Sequence, residues 1–247
     1  MNISAISDQS WLGKILRLPL KLIPPHTVVP ILQGRLRGRK WIVGSSTHGC
    51  WLGSYEYEQR IIFERIIKEG SIVFDIGAHV GFYTLLASIM VGPRGRVFAF
   101  EPVPRNLYYL KEHLRLNNVK NATVIKAAVS DSGGFTTFDE GPASSVGHLS
   151  PQGKLIVKTV ALDELILRAG LPVPNYMKID VEGTELLVLK GAEVTIAKHH
   201  PTLLLSIHGR DIREQCCRFL EAFNYHLEPI RTACLETTDE ILAYYKS

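Results

Sequence analysis

The sequence predicts an α/β domain built on a doubly wound, mostly parallel β-sheet, and three observations support this. The chain has 247 residues, 46% of them hydrophobic and 21% charged, which suits one globular domain with a substantial core. Short runs such as 71–77 and 96–102 are apolar almost throughout, as expected of strands covered on both faces. Segments with helical spacing of apolar residues alternate with these runs, and this alternation is typical of β-α-β units.

The regular alternation begins at residue 55. Residues 55–70 place apolar side chains at helical spacing and end in a glycine, which predicts a helix with a glycine C-cap. After it the sequence predicts a strand, a helix that Gly92-Pro93 ends, a second strand, a second helix and a third strand, in that order, over residues 71–77, 82–91, 96–102, 106–118 and 122–131.

The second half of the domain is less regular. An extra pair of strands is predicted at 133–140 and 154–165, on either side of the Gly/Ser-rich loop 141–150. Two more buried strands, a helix and the two strands of a closing hairpin follow, over residues 175–183, 201–209, 211–225, 226–230 and 240–245. The whole pattern is therefore one domain, predicted to cover residues 55–247.

Residues 1–54 are predicted to form a basic, helical N-terminal extension. Residues 1–40 contain seven Lys and Arg against Asp8 alone, a net +6, which leaves a net −2 for the rest of the chain. Cations and Pro24-Pro25 interrupt the apolar stretches, so neither a membrane span nor a secretory signal is predicted. A short helix packed on the domain is the favoured interpretation, and peripheral contact of residues 1–40 with an anionic membrane is the alternative.

The cysteines indicate the compartment. Four cysteines without a CxxC pair make neither a disulfide framework nor a cysteine metal site. Reduced and mostly buried thiols are therefore expected, and with them a cytoplasmic protein, peripheral at the membrane if the extension binds there.

Acidic side chains follow three of the predicted strands. Asp75 ends the first, Glu101 ends the second, and Asp131 lies just past the third. In open α/β sheets, ligands bind outside the carboxyl ends of the strands, so these acids are expected to face a ligand. The first turn reads Gly-Ala-His-Val-Gly, without the GxGxxG pattern of a dinucleotide site, and its acid would repel a phosphate.

A ligand with an ammonium group, a ribose diol and no phosphate has the opposite requirements. Asp75 suits the ammonium side, Glu101 can accept hydrogen bonds from two ribose hydroxyls, and Asp131 can accept one from an exocyclic amine. Gly77 lets the backbone pass close beneath the ligand, and Gly81 lets the next helix pack near the strand. S-adenosylmethionine has all of these groups, so it is the predicted cofactor.

The segments FDIGAHVGFYT, FAFEPVPRNLYYLKEHLRLNN, AAVSD and MKIDVEGTELLVLKGA together resemble the FkbM-type methyltransferases, a family of class I S-adenosylmethionine-dependent enzymes. The resemblance spans about residues 53 to 208. It implies a Rossmann-like, seven-stranded sheet with an antiparallel last strand, and O-methylation of a sugar, a glycolipid or a secondary metabolite. The cofactor-binding residues predicted with it are Asp75, Gly77, Ala78, His79, Gly81, Glu101, Ala128, Ser130 and Asp131.

This chain departs from the family pattern at two positions. His79 stands where the family often has Asn, and Ser206 stands where family members usually carry Glu, just before His208. A catalytic or ligand role at position 206 is therefore not expected.

Asp180 and Glu182 leave the fourth strand beside the expected methyl group and are candidate catalytic residues. Glu182 is the first choice for the base or a clamp on the acceptor, and its alternative is a cap on the following helix. His208, after the fifth strand, is either a second candidate base or a loop histidine. Asp180, Glu182 and His208 could together hold Mg²⁺ in an oxygen-rich site, but their spacing matches no metal motif, so no metal is predicted.

The acceptor is expected to meet the loop between the extra strands. Ser144, Ser145 and His148 lie in it, and loops on rigid scaffolds commonly carry specificity. Two other functions stay open from the residues alone: a nucleic-acid methyltransferase that uses the basic extension, and a cofactor-binding homologue without activity. Cations confined to the extension disfavour nucleic acid, and the three intact strand-end acids disfavour the second.

Overall fold

The computed structural model describes residues 19–141 and 147–246. Two short 3₁₀ helices occupy Pro19–Leu22 and Val43–Ser45. In chain order the strands are β1 (Val28–Pro30), β2 (Lys40–Ile42), β3 (Ile72–Ile76), β4 (Arg96–Phe100), β5 (Ala122–Ile125), β6 (Ala128–Val129), β7 (Gly134–Asp139), β8 (His148–Leu149), β9 (Leu155–Val160), β10 (Tyr176–Ile179), β11 (Thr202–Ser206), β12 (Tyr225–Pro229) and β13 (Glu240–Tyr245). The α-helices of these ranges are α1 (His48–Leu52), α2 (Tyr57–Ile66), α3 (Phe82–Met90), α4 (Pro104–Leu116), α5 (Leu162–Leu167), α6 (Glu185–Lys190), α7 (Glu193–His199) and α8 (Arg210–Ala222).

One seven-stranded sheet dominates the fold, with the strand order β12-β13-β11-β10-β3-β4-β5. Neighbouring strands from β11 to β5 are parallel, whereas β13 is antiparallel to both of its neighbours. The predicted doubly wound sheet with an antiparallel last strand is therefore confirmed. Strand order reverses between β3 and β10, and the cleft that such a reversal creates is where ligands bind in open α/β sheets.

The strands pair as they do because both of their faces are apolar. Val73 and Val97 pack with Leu204 in a hydrophobic cluster on one face of the sheet. Phe74 and Met177 belong to a second cluster on the other face. Successive side chains of a strand point to opposite faces, so a run that is apolar throughout has to be covered on both. Each fully buried side chain of this size stabilises the fold by about 1.5–3 kcal/mol.

Three predicted elements have different bounds. The third predicted strand divides into β5 and β6, and β6 leaves the large sheet to pair with β9 in a four-stranded sheet with β7 and β8. The helix expected to reach Gly70 ends at Ile66, because Ile67 is already extended. Residues 162–167 are helical and not a strand, with Asp163 and Glu164 in the first turn, where acids favour a helix.

The described part of the predicted extension packs against the large sheet. Residues of the β1–β2 hairpin and of α1, such as Ile31, Trp41 and Trp51, share a hydrophobic cluster with Val73 and Leu85. The Trp41 ring stacks on His113 of α4 at 3.7 Å. Residues 1–18, where the amphipathic helix was expected, lie outside the described residues. Among the described helices, none has the length and apolar character that crossing a membrane requires.

Candidate active site

One cavity of about 620 Å³ opens at the carboxyl edge of the large sheet, across the point where strand order reverses. This volume is typical of small-molecule sites. At one end it is lined by residues that follow β3 and β4, including Gly77, His79 and Glu101, together with Ala128 of β6. The other end is lined by residues at or just after the carboxyl ends of β10 and β11 and by the first residue of β13. These include Asp180, Glu182, Ser206, His208 and Glu240.

The turn after β3 forms the floor between the two ends. Gly77 has φ +79°, and a Cβ there would overlap the carbonyl oxygen of Asp180. Gly81 has φ +90°, and a Cβ there would press into Leu110 of α4. Both glycines are therefore required, Gly77 by the carbonyl that follows the neighbouring strand and Gly81 by the packing of α4. The predicted reason for Gly77, a ligand lying close to its backbone, stays a prediction.

Glu101 is 4% exposed and is held by the protein on both carboxylate oxygens. Oε2 accepts a hydrogen bond from the backbone N–H of His79 at 2.8 Å, and Oε1 accepts one from that of Val103 at 2.9 Å. The Asn106 side chain donates a third at 3.3 Å. Burial raises the pKa of Glu101 to about 7, although these hydrogen bonds act to lower it. A carboxylate has about four acceptor positions, so Glu101 can still accept from a ligand in the cavity.

Asp75 lies beneath the cavity and does not line it. Its Oδ2 accepts a hydrogen bond from Thr84 at 2.5 Å, and its Oδ1 is buried without a partner among the described residues. It lines an adjoining pocket of about 20 Å³, together with Ala78, that shares Gly77 and His79 with the cavity. Burial raises the pKa of Asp75, and Lys178 opposes this shift.

Ser130 and Asp131 are placed away from the cavity. They line a separate surface pocket, and Asp131 is exposed and accepts hydrogen bonds from Ser130 and Ser132. Both residues of β6, Ala128 and Val129, pair with β9 and still line the cavity, and the chain leaves the cavity at Ser130 and Asp131, which follow β6. The positions of Ser130 and Asp131 therefore do not support the contact with a cofactor that was expected of them. The position of Ala128 does support such a contact.

Lys178 is a buried cation beneath the acidic end of the cavity. It is 3% exposed, and its Nζ lies 2.9 Å from Oδ2 of Asp180 and 4.6 Å from the centre of the Tyr83 ring. Burial acts to lower the pKa of Lys178, but the carboxylates of Asp180, Glu56 and Asp75 outweigh it and raise the pKa above its usual value. Lys178 therefore stays charged, and it holds Asp180 ionised in return.

His208 joins three carboxylates into one cluster. Its Nδ1 lies 2.8 Å from Oε1 of Glu185, and its Nε2 lies 3.5 Å from Glu182 and 3.9 Å from Asp180. Glu185 is fully buried in the first turn of α6. The backbone of Glu182 has φ +55°, a conformation that is uncommon for a residue with a side chain and is usually maintained by its surroundings.

The pKa of His208 is raised to about 9, because its hydrogen bond to Glu185 and the charges of Asp180 and Glu182 outweigh its partial burial. Burial raises the pKa of Glu182, and the charges of His208 and His148 oppose that shift. At neutral pH the imidazole is thus protonated and donates hydrogen bonds, while the raised pKa of Glu182 makes its carboxylate a better proton acceptor than an ordinary glutamate.

The raised pKa of His208 predicts a pH-dependent stability. Since the folded-state pKa of about 9 exceeds the usual histidine pKa of 6.5, the stabilisation is complete below about pH 6.5 and is lost as the pH rises through about 9. The melting temperature is expected to fall across this window in the wild type and to fall less in a His208→Gln variant. A His226→Gln variant, which changes an exposed histidine outside the cluster, is the control. Equal slopes in wild type and His208→Gln would contradict the assignment.

Asp180, Glu182 and His208 also have the composition of a metal site, and one potential ligand atom from each lies within 4.8 Å of the others. The geometry alone admits a cation. However, Lys178 and the protonated His208 already supply positive charge to these carboxylates. That no metal is needed stays a prediction.

Ser206, the departure from the family pattern, takes part in a hydrogen-bond network. Its Oγ accepts from Nε2 of Gln59 at 2.8 Å, and the Gln59 carbonyl oxygen accepts from the Tyr83 hydroxyl at 2.8 Å. In the register of β11 and β13, Ser206 lies opposite Glu240. The sequence did not predict that three further residues belong to the site: Gln59, Glu185 and Glu240. The contacts that place them there join segments that are far apart in the chain. The one visible signal was the acid pair Asp239-Glu240 before an apolar strand.

The predicted acceptor loop is described only in part. Ser144 and Ser145 lie outside the described residues. His148 is half-buried in β8, and its neighbours Gly147 and Leu149 line the cavity. His148 is also close enough for its charge to act on Glu182.

Comparison with known proteins gives a consistent result. A family model described as the methyltransferase FkbM domain matches residues 75–246. Hexuronic acid methyltransferase AglP of Haloferax volcanii is 34% identical over 136 residues, which cover 53% of this chain and 54% of that protein. The 2-O-methyltransferase NoeI of Sinorhizobium fredii is 26% identical over 161 residues, which cover 56% of this chain and 64% of that protein.

Among solved structures, a methyltransferase FkbM from Methylobacillus flagellatus superimposes with a TM-score of 0.53. The two chains are 23% identical, and the match covers 71% of this chain and 43% of that one, so the likeness is one of fold. The match spans about half of AglP and less than two thirds of NoeI.

Proposed function

Because the chain belongs to the methyltransferase FkbM family, we propose that it transfers a methyl group from S-adenosylmethionine to a hydroxyl of a sugar, a glycolipid or a secondary metabolite. The observation that carries the proposal is one cavity with Glu101 at one end and the Glu182–His208 cluster at the other. Such a cavity has separate places for a ribose-bearing cofactor and for a proton acceptor.

The residues present fit the cofactor. Glu101 has acceptor capacity left for ribose hydroxyls, whereas Asp75 lies beneath the cavity, where its charge favours the ammonium side without a direct contact. Gly77, His79 and Ala128 line the same cavity as Glu101. When bound, S-adenosylmethionine supplies a methyl group activated by a positively charged sulfur. No phosphate has to be accommodated, in agreement with the acids at the strand ends.

In the proposed reaction S-adenosylmethionine would supply the methyl group to the acceptor oxygen, and the Glu182 carboxylate would take up the proton of the acceptor hydroxyl. A positioned base of this kind contributes about 10²–10⁴-fold to the rate. The protonated His208 lies 3.5 Å from Glu182 and fixes its carboxylate. Glu185 orients His208 in turn, and Lys178 keeps Asp180 ionised next to the reacting groups.

Two structural facts support Glu182 over the alternatives. As a helix cap it would have to bond a backbone N–H at the start of α6, but that helix begins at Glu185, and the N–H of Gly183 donates to the Glu185 carboxylate at 3.0 Å. As a base at neutral pH, His208 would first have to lose a proton that the neighbouring carboxylates hold. The names of AglP and NoeI, which refer to a hexuronic acid and to 2-O-methylation, support a hydroxylated acceptor.

Calorimetry tests the cofactor. S-adenosylmethionine and S-adenosylhomocysteine are expected to bind with comparable affinity, because the same strand-end acids hold both, and NAD is expected not to compete. Binding of NAD without binding of S-adenosylmethionine would contradict the proposal. A screen of sugar and lipid-linked acceptors with methyl-labelled S-adenosylmethionine then identifies the acceptor, and transfer to nucleic acid alone would favour the other enzyme class.

A further inference from the structure

Glu240 is a buried acid in the cavity that the proposed methyl transfer does not use. It is 8% exposed and is the first residue of β13. Its Oε1 lies 3.7 Å from Nη1 of Arg231, whereas its Oε2 is buried without a hydrogen-bond partner among the described residues. Buried polar atoms are nearly always hydrogen-bonded, so an unpartnered carboxylate oxygen in a cavity wall indicates a ligand that donates to it.

The topology puts Glu240 on the side of the cavity away from the cofactor residues. Because β13 is antiparallel, its first residue lies at the edge where the parallel strands end, directly opposite Ser206 of β11. Along this edge Glu240 is followed by Ser206, Asp180, Gly77 and Glu101. Neighbouring strands are about 4.8 Å apart, so Glu240 lies about 10 Å from Asp180 and about 19 Å from Glu101. Glu240 and Glu182 therefore line the same end of the cavity, with Ser206 between their strands.

The surroundings of Glu240 indicate which donor it meets. Arg231 lies beside it, and the charge of Lys178 also acts on it, so a further cation is not required for charge balance. An anionic group would be repelled by Glu240 and by Glu56, whose Oε2 is likewise buried in this region without a partner among the described residues. Neutral hydroxyl groups donate to carboxylates without adding charge.

We propose that Glu240 forms a specificity subsite that binds a hydroxyl group of a pyranose ring, next to the hydroxyl that receives the methyl group. This inference rests on the proposed function, since it assigns the acceptor to this end of the cavity. It makes the acceptor a polyhydroxylated ring and not an isolated alcohol on an apolar skeleton. Burial raises the pKa of Glu240 to about 7, and a hydroxyl can pair with either of its protonation states.

Saturation-transfer NMR on the full chain, loaded with S-adenosylhomocysteine, tests the subsite without requiring turnover. The probes are the methyl pyranosides of glucose, galactose and mannose, with tetrahydropyran-2-methanol, which lacks ring hydroxyls, as the comparison. At least one pyranoside is expected to bind more strongly than tetrahydropyran-2-methanol. Its affinity is expected to fall at least about tenfold in Glu240→Ala, and less in Glu240→Gln, which keeps one acceptor oxygen.

Glu228→Gln, on the neighbouring strand of the same hairpin, is the matched control, because Glu228 bonds Tyr244 and does not line the cavity. It is expected to bind the pyranoside as the wild type does. The affinity for S-adenosylhomocysteine is measured first. A wild type that does not bind S-adenosylhomocysteine counts against the proposed function. With that affinity intact, the subsite is overturned if the wild type binds no pyranoside, or if Glu240→Gln and Glu240→Ala both match the wild type. Should Glu240→Ala fail to fold, Glu240→Gln with an affinity equal to the wild type overturns it alone.

Discussion

The Glu182→Gln variant is expected to turn over at least about 10²-fold more slowly than the wild type while binding S-adenosylmethionine equally well. Glutamine keeps the size of the side chain and its hydrogen-bonding ability but cannot take a proton from the acceptor. Glu101, the proposed ribose contact, lies at the other end of the cavity, so the affinity for S-adenosylmethionine should not change. Measuring kcat and the cofactor dissociation constant on the same preparation gives both quantities.

The control for Glu182→Gln is Glu193→Gln, which changes an acid in the first turn of the next helix, away from the cavity. It should leave kcat unchanged. A helix-capping role for Glu182 would instead cost about 1 kcal/mol of stability with little effect on rate. A lowered melting temperature with a nearly normal kcat would therefore give Glu182 a structural role and make His208 the candidate base.

Replacement of Glu101 by alanine is expected to raise the dissociation constant for S-adenosylmethionine about 10-fold to 100-fold. The basis is a net loss equivalent to one charge-assisted hydrogen bond to the ribose, which is worth about 1.5–3 kcal/mol. The melting temperature should also fall, because the N–H groups of His79 and Val103 lose their acceptor. Calorimetry below the melting transition separates the effect on binding from the effect on stability.

Glu112→Ala is the matched control for Glu101→Ala. Glu112 is on the helix that follows β4, pairs with Arg115 at the surface and has no place in the cavity. Its variant should bind the cofactor as the wild type does. A Glu101→Ala dissociation constant within about threefold of the wild-type value, under 1 kcal/mol, would remove Glu101 from the cofactor site.

The sequence was sufficient for the large sheet because the signals that specify it are local. The strand that ends at Ile76 is apolar on both faces, and the chain turns at Gly77 and Gly81 for reasons that hold within a few residues. The antiparallel last strand came from the family resemblance, because nothing in residues 240–245 alone gives the direction of pairing.

The features that the sequence did not predict depend on pairing between segments that are far apart in the chain. Whether residues 128–129 continue β5 depends on β9, which lies some thirty residues further along the chain. The partners of His208 and Ser206 are similarly remote: Glu185 is 23 residues away from the first, and Gln59 is 147 residues away from the second. Such contacts leave no periodicity or spacing in a single sequence.

The buried Lys178 has a consequence for how this site can change during evolution. Lys178 has three acidic neighbours, Asp180, Glu56 and Asp75. If Asp75 or Glu56 is lost, Asp180 still compensates the charge of Lys178. Loss of the lysine itself leaves several buried carboxylates without a counter-charge at once, and an uncompensated buried charge is strongly destabilising. Divergence at these positions is therefore expected to have an order, in which Asp75 or Glu56 can be replaced while Asp180 still compensates the lysine, and the lysine can be replaced only together with its remaining acids.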